Sequence, residues 1–271
     1  MRESGPWSTQ RILDALASLD EATLGVDVID VRTAEYRLLR YPERFVSPTL
    51  PAAQVIRSHT SRSLDTVFDE IAGQVKGWGL DVLHWWVSSA TRPLQTEAFL
   101  VARGGVVSDS HQIVARELYD DDFDRAPSAL INVELVRDER TLRDAMAVET
   151  EGWGRSRPDE DAIALRLSET LDNFETSSEF QFVAYVGAQP ASTGCCKING
   201  EVGRLYGAVT LREFRSRGCY LAVLSSRLRQ LRDCGATIAI TRARPLTSGR
   251  LLMKVGFSAH DLASCYRVSL S

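Results

Sequence analysis

One segment of this 271-residue sequence combines positive charge with a glycine just ahead of a helical pattern. It reads Arg215-Ser-Arg-Gly-Cys-Tyr220 and follows the extended run from Gly203 to Leu211. A helix that begins here leaves its first N–H groups unpaired and points its positive dipole end at the turn. Gly218 lets the backbone approach a ligand, while Arg215 and Arg217 add positive charge. These features favour a phosphate or pyrophosphate ligand, and an ordinary strand-to-helix turn with solvated arginines is the alternative.

Other chemistry-bearing patterns are weak in this chain. The arginine-glycine segment matches neither GxGxxG nor GxxxxGK[ST], so dinucleotide-binding and P-loop hypotheses have no motif support. The five cysteines are odd in number and lack CxxC spacing, and the four histidines share no ligand spacing. We therefore expect no disulfide framework and no metal site.

Composition places the chain among ordinary globular proteins, with 44% hydrophobic and 25% charged residues. No apolar run approaches the roughly 20 residues that span a bilayer, and the N-terminus lacks a signal pattern, so we expect a cytoplasmic protein without a membrane partner. A net charge of -4 and a pI near 5.7 argue against nucleic acid binding. Residues 201–271 nevertheless hold 12 basic and only 4 acidic side chains, so the C-terminal quarter is locally basic.

An acidic, proline-containing run from Tyr119 to Ser128 has no apolar period and predicts a domain boundary. We place the domains at residues 1–125 and 126–271. The second domain predicts the order β-α-α-β-β-β-α-β-α-β. Its elements are strand 131–136, a helix from 139 capped by Asp138, helix 160–174, strands 181–186, 192–198 and 203–211, helix 220–234, strand 237–241, helix 248–255 and strand 264–270.

The two domains share a pattern that suggests duplication of one unit. After a predicted strand, a hydroxyl residue stands eight positions before a glycine, as Thr96 before Gly104 and as Ser248 before Gly256. Such a hydroxyl can cap the start of a short helix and such a glycine its end. A chance likeness between two helix-strand-helix units is the alternative.

The sequence resembles the GCN5-related N-acetyltransferase (GNAT) superfamily. The coenzyme A loop of that family, Arg/Gln-x-x-Gly-x-Gly/Ala at the start of a helix, is matched by Arg215 to Tyr220, with tyrosine in place of the last small residue. The family's downstream helix, which runs from a small residue to Gly-Phe, is matched by Ser248 to Gly256-Phe257. The element order of residues 131–270 also agrees with the family fold.

This resemblance implies an α/β (α+β) fold of two tandem GNAT-like domains, each a mixed central β-sheet flanked by helices. It also implies that acetyl-CoA binds where two central strands diverge, with no metal and no covalent enzyme intermediate. The implied cofactor-binding residues are Val209 and Leu211 on the strand, Arg215, Ser216, Arg217, Gly218, Cys219, Tyr220 and Leu221 at the pyrophosphate, and Arg244 and Ser248 downstream.

Two departures from the family pattern affect catalysis. Leu252 stands where many members have a tyrosine acid, and Pro245 stands where they often have an asparagine. We name Tyr206 as the replacement acid, with Tyr266 as the alternative. For the base, Glu149 and Glu151 both lie near the end of a glycine-broken helix of the kind that lines the family's acceptor groove, and of the two we name Glu151. A merely solvated helix-end glutamate is the alternative.

The first domain lacks the phosphate-binding signal of the second. Between Ser47 and Asp69, where a duplicated loop belongs, the sequence has no glycine. We therefore expect residues 1–125 to form a degenerate GNAT-like domain without a coenzyme A loop. The overall prediction is an N-acetyltransferase for a small-molecule or peptide primary amine, monomeric or homodimeric. The alternatives are a non-catalytic acyl-CoA-binding regulator and a tandem enzyme similar to mycothiol synthase.

Overall fold

The computed structural model describes residues 6–21, 27–43, 46, 50–119, 130–155, 157–172 and 177–270. These residues contain seven α-helices, α1 (Thr9–Glu21), α2 (Leu64–Gly77), α3 (Thr96–Ala102), α4 (Glu139–Trp153), α5 (Glu160–Asp172), α6 (Cys219–Asp233) and α7 (Arg250–Lys254). They contain eleven strands, β1 (Ile29–Arg32), β2 (Tyr36–Arg40), β3 (Ala53–Ser58), β4 (Val82–Val87), β5 (Val106–Glu117), β6 (Ile131–Leu135), β7 (Glu179–Val186), β8 (Gln189–Asn199), β9 (Val202–Thr210), β10 (Ile238–Ala243) and β11 (Ser258–Ser269). None of the described helices has the length and apolar character needed to cross a bilayer.

The chain divides into two compact units. Unit 1 comprises residues 1–19 and 115–241, and unit 2 comprises residues 20–114 and 242–271. This division differs from the expected consecutive domains, 1–125 and 126–271. The physical reason is the last strand, because β11 pairs antiparallel with β4 along the register from Ser264–Val87 to Ser269–Val82. Most of the expected linker, residues 120–128, lies outside the described residues.

Unit 1 is built on a mixed sheet in the order β10-β9-β8-β7-β6. Helices α4 and α6 cover opposite faces, since neighbouring residues of β8 face different helices. A Cβ atom added at Gly194 would lie 3.0 Å from Arg227 of α6. A Cβ atom added at Gly207 would lie 3.6 Å from Cys195 and 3.9 Å from Trp153 of α4. The α4-covered face is called the acceptor face below, and it carries Glu179, Gln181, Thr193, Cys195 and Tyr206.

The predicted element order of residues 131–270 is confirmed. Asp138 caps α4 as expected, accepting a hydrogen bond of 2.8 Å from the backbone N–H of Thr141, whose hydroxyl in turn accepts from the Asp138 backbone. The hairpin glycine Gly200 adopts the left-handed conformation at φ 57°. Helix α5 ends at Asp172 within the described residues, and the last residues of its predicted range lie outside them.

The predicted cap at Ser248 is wrong. Residues Pro245–Gly249 form a π-helical turn, and α7 begins only at Arg250. The Ser248 hydroxyl accepts a hydrogen bond from the Arg244 backbone N–H at 3.1 Å instead of capping the helix. Position 249 has no room for a side chain, because a Cβ atom added to Gly249 would come within 2.9 Å of Gln112 and 3.0 Å of the Arg244 carbonyl oxygen.

Unit 2 repeats part of the same arrangement. Its strand order is β1-β2-β3-β4-β11-β5, and β3 runs parallel to β4 just as β9 runs parallel to β10. The succession β3-α2-β4-α3-β5 matches the succession β9-α6-β10-α7-β11. A core around Phe68, Trp85 and Leu100 lies between the sheet and α2 and α3. The predicted cap at Thr96 is wrong, because its hydroxyl donates to the Pro93 carbonyl oxygen at 2.7 Å.

Candidate active site

The central strands of unit 1 separate after a short parallel contact. Strand β9 pairs with β10 from Val202–Ile238 to Arg204–Ile240, and no further pair joins these two fully described strands. The Thr241 hydroxyl donates to the Leu205 carbonyl oxygen at 2.8 Å, which marks the point of divergence. Beyond it, β9 continues to Thr210 without a further residue pair to β10. The resemblance to the GNAT superfamily implied such a divergence of two central strands.

A β-bulge shapes the open part of β9. The register between β9 and β8 shifts between the pairs Thr193–Val209 and Cys195–Tyr206. Gly207 lies within this shift, in the left-handed conformation at φ 60°. On the acceptor face, Gly152 of α4 lies so close that an added Cβ atom would come within 2.4 Å of Val209. A bulge leaves a residue out of the strand pairing, so that its backbone N–H and C=O groups point in new directions. Val209 and Leu211 are both buried at this end of the strand, and the Leu211 N–H is paired with the Ala191 carbonyl oxygen at 3.0 Å.

The arginine-glycine turn leads from β9 into α6 through a short 3-10 helix, Arg212–Phe214. Gly218 is the N-cap of α6 at φ 91°, and no side chain hydrogen-bonds to the cap. Ser216 also adopts a left-handed conformation, at φ 62°. Left-handed residues ahead of a helix gather backbone N–H groups into a concave site for anions, and unusual backbone conformations concentrate at functional sites. The first turn of the 15-residue α6 holds no acidic side chain.

The cations of this turn are exposed. Arg215 donates from Nε to the Thr210 carbonyl oxygen at 3.2 Å, and Arg217 lies 5.5 Å from the centre of the Phe214 ring. Both remain accessible to a ligand, together with Ser216 and Gly218. The next expected residues point inward, because Cys219 is buried and Tyr220 and Leu221 are half-buried. These three residues offer backbone N–H groups rather than side chains, which fits a pyrophosphate.

The turn before α2 in unit 2 differs in its charges from the turn before α6. Helix α2 begins at Leu64 with Asp65 in its first turn. Arg62 is paired with Glu35 and, at 3.0 Å, with Glu70. The one arginine of the turn is thus held by two carboxylates. The charges of this turn therefore differ from those of the turn before α6, where the arginines are exposed.

A buried polar network occupies the acceptor face. Glu149 of α4 is 8% exposed and accepts two hydrogen bonds from Arg166 of α5, at 2.8 and 3.2 Å. Gln181 donates to the same carboxylate at 2.7 Å and to the Thr193 hydroxyl at 3.1 Å. Burial disfavours the charged form of Arg166, but the Glu149 carboxylate outweighs this effect and raises the pKa of Arg166. Sequence reasoning missed this network, and its signal was the polar Gln181 and Thr193 within otherwise apolar strands.

The predicted acid and base do not come together. Tyr206 lies on the acceptor face and donates to Glu179 at 2.8 Å, while burial and the nearby Cys195 and Glu179 raise its pKa far above the ordinary value. Tyr206 therefore keeps its proton at neutral pH. Glu151 is exposed near the end of α4. Glu151 lies two positions after Glu149, a rotation of about 200° round the helix axis, so it faces away from the network.

Arg244 and Ser248 belong to unit 2, whereas the residues of the turn belong to unit 1. Arg244 pairs there with Asp109 through Nη2 at 3.1 Å. Tyr266, the alternative acid, is also in unit 2, where it donates to Glu97. Leu252 is buried.

All five cysteines are free thiols. Burial raises the pKa of Cys195 well above the usual range, that of Cys196 to about 12 and that of Cys265 to about 11. Burial also raises the pKa of Cys219 at the start of α6. These four thiols stay protonated at neutral pH and are poor nucleophiles.

No family model matches the chain, and no curated protein matches it either. Solved structures do match. A GCN5-related N-acetyltransferase from Sphaerobacter thermophilus is similar at 13% identity and a TM-score of 0.67, over 95% of this chain and 85% of that one. Another from Kribbella flavida is similar at 15% identity and a TM-score of 0.65, over 96% of this chain and 95% of that one.

A tandem GNAT protein from the clavulanic acid biosynthesis pathway is similar at 16% identity and a TM-score of 0.61. The likeness covers 99% of this chain and 91% of that one. At such low identity, these similarities establish architecture. The chain therefore has the fold of the tandem GCN5-related N-acetyltransferases.

Proposed function

We propose that this protein is an acetyl-CoA-dependent N-acetyltransferase that acts on a primary amine of a small molecule or peptide. The observation that carries the proposal is the combination of the divergent β9 and β10 with the glycine-capped, acid-free start of α6. The former offers an open strand edge to a pantetheine arm. The latter offers backbone N–H groups and two exposed arginines to a pyrophosphate.

The residues of the turn fit the cofactor. The backbone N–H groups of residues 217–221 bind the pyrophosphate, and Arg215 supports them with charge. Gly218 has no Cβ atom to block the approach, and its φ of 91° suits glycine. Acetyl-CoA would supply the thioester for direct attack by the amine, with the thiolate of CoA as the leaving group, and a backbone N–H of β9 at the bulge would polarise the thioester carbonyl.

The protonation states of the side chains in unit 1 support direct attack of the amine on the thioester. The buried thiols hold their protons, so none of them competes as a nucleophile. Tyr206, in β9, holds its hydroxyl proton, which it donates to Glu179, and is our candidate acid. Glu149 is committed to Arg166 and Gln181, so our candidate base is the exposed Glu151, which lies on the other side of α4 and would take the amine proton through water.

Calorimetry and thiol release together test the proposal. We expect the full chain to bind CoA and acetyl-CoA with about micromolar affinity and to release free thiol from acetyl-CoA when a suitable amine is added. An absence of binding heat with both compounds would contradict the cofactor assignment. Binding of CoA without thiol release across a broad amine panel would identify a non-catalytic binding protein instead.

A further inference from the structure

The acceptor face contains one guanidinium whose hydrogen bonding is incomplete. Arg155 follows the C-terminal end of α4, and its guanidinium carbon lies 4.4 Å from the centre of the Trp153 ring. Its Nε atom is buried and has no hydrogen-bond partner among the described residues. An arginine side chain stays charged and carries five N–H donors. A buried donor without a partner costs stability unless a ligand supplies the acceptor.

The protein's own carboxylates at this face are already engaged. Glu149 accepts from Arg166 and Gln181, and Glu179 accepts from Tyr206 and lies 3.6 Å from Lys197. Burial lowers the pKa of Arg155, the charge of Glu149 raises it and the like charge of Arg166 lowers it, and no ion pair joins Arg155 to Glu149. One carboxylate, Glu149, thus lies near two guanidinium groups, and it accepts hydrogen bonds from Arg166 and not from Arg155, which leaves one positive charge in excess.

Trp153 connects Arg155 to the place where acyl transfer would occur. The far edge of its ring lies beside Gly207, where an added Cβ atom would be 3.9 Å from it. Gly207 forms the bulge of β9. A ligand group bound to Arg155 would therefore lie one indole ring away from the bulge.

We propose that Arg155 binds a carboxylate of the acceptor, so that the substrate is an amine that also carries a carboxylate. This inference rests on the proposed acetyl transfer and names the substrate class for it. A carboxylate matches the planar guanidinium fork and brings one negative charge to the one positive charge in excess. A phosphate would bring nearly two charges into the neighbourhood of Glu149, so it fits this position less well.

Matched pairs of amines test the inference. The full chain, saturated with CoA, is titrated calorimetrically with α-amino acids and ω-amino acids and with the corresponding carboxamides. The two members of a pair share the amine and differ only in the carboxylate. We expect at least one amino acid to bind roughly 10- to 100-fold more tightly than its carboxamide, the range for a hydrogen bond to a charged group.

Variants of the full chain then locate the effect. Arg155→Gln should remove the preference for the acid while leaving the affinity for CoA unchanged, and Arg155→Lys should restore part of it. Arg157→Gln is the matched control, because Arg157 is exposed two residues further on. A preference that survives R155Q, or equal affinity for acids and carboxamides throughout the panel, would overturn the inference.

Turnover separates this inference from the function on which it rests. Thiol release with carboxamides as fast as with acids would leave acetyl transfer standing and refute the role of Arg155. Acid-selective binding that depends on Arg155, without thiol release from acetyl-CoA, would support the carboxylate site and refute the transferase.

Discussion

Glu149 of α4 and Arg166 of α5 form a two-pronged ion pair, at 2.8 and 3.2 Å, that joins the two helices over the acceptor face. Gln181 of β7 contacts both partners, with its amide nitrogen 2.7 Å from the carboxylate and its oxygen 3.1 Å from the guanidinium. The pair thus ties both helices to the sheet. The position of the end of α4, and with it that of Trp153, depends on this contact.

Removing the charge of Glu149 should lower stability. Glu149→Gln leaves the half-buried Arg166 without its counter-charge, and we expect a loss of about 1 to 3 kcal/mol in the free energy of unfolding. Glu139→Gln is the control within the same helix, since its pair with Arg143 at 2.8 Å is exposed and worth at most about 0.5 kcal/mol. Urea unfolding of the full chain measures both. Equal effects of the two substitutions would contradict a special role for the buried pair.

Gly218→Val should weaken CoA binding at least roughly 10-fold. An L-residue is strained at φ 91°, by about 1 to 2 kcal/mol, and its side chain crowds the N–H groups at the start of α6. Gly104→Val serves as the control, because Gly104 has a similar φ of 78° and open space around it but lies in unit 2. Calorimetry with CoA compares the two variants. Similar affinity losses would place the cofactor elsewhere.

Two helical glycines should respond in opposite directions to alanine. Gly152→Ala would drive a methyl group to within 2.4 Å of Val209, so α4 or the bulge must shift, and we expect destabilisation by about 1 to 3 kcal/mol and slower thiol release. Gly73→Ala meets no atom within 4 Å in α2 and should stabilise by about 0.5 to 1 kcal/mol. Thermal unfolding measures the change in stability of both variants. A neutral G152A would show that α4 is held less tightly than its packing suggests.

Substitution of Glu151 tests the assignment of the base. If the exposed carboxylate takes the amine proton, Glu151→Gln should lower kcat by roughly 100-fold or more and flatten the acidic limb of the pH–rate profile. The free energy of unfolding should hardly change, since the side chain is exposed. Unchanged turnover in E151Q would assign proton removal to solvent.

Alkaline pH should destabilise the protein through Tyr36. Burial raises the pKa of Tyr36 to about 12, and its hydrogen bond of 2.6 Å to Glu70 adds to the shift. The folded-state pKa lies above the unfolded value of about 10, so this stabilisation is complete below pH 10 and is lost as the pH rises toward 12. The difference in unfolding free energy between the wild type and Tyr36→Phe should shrink by about 1 kcal/mol over that range. A constant difference would mean that the hydroxyl is not protected.

Local signals made the elements around the candidate site predictable. Asp138 followed by Thr141 specifies a helix start, Asn199-Gly200 specifies a tight turn, and Gly218 marks the start of α6. Each depends on residues adjacent in the chain, and these were read from the sequence. The similarity to known coenzyme A loops rests on the same short-range pattern.

Features that depend on distant residues were not predictable. The π-helical turn before Arg250 packs against Gln112, since a Cβ atom added at Gly249 would come within 2.9 Å of that side chain. The partner of Glu149 comes from the next helix, and the partner of β11 comes from residues 82–87. Strand pairing and buried ion pairs are decided by tertiary packing, which a single sequence does not display.

The pairing of β11 with β4 has a consequence for how the chain is made. During synthesis residues 20–114 leave the ribosome before residues 258–269, which form the strand that completes their sheet. Residues 115–241 can complete their sheet in the meantime, since β6 to β9 pair with near neighbours in the chain. The first-made segment must therefore wait with an open strand edge, and chaperone binding to nascent chains should be strongest there.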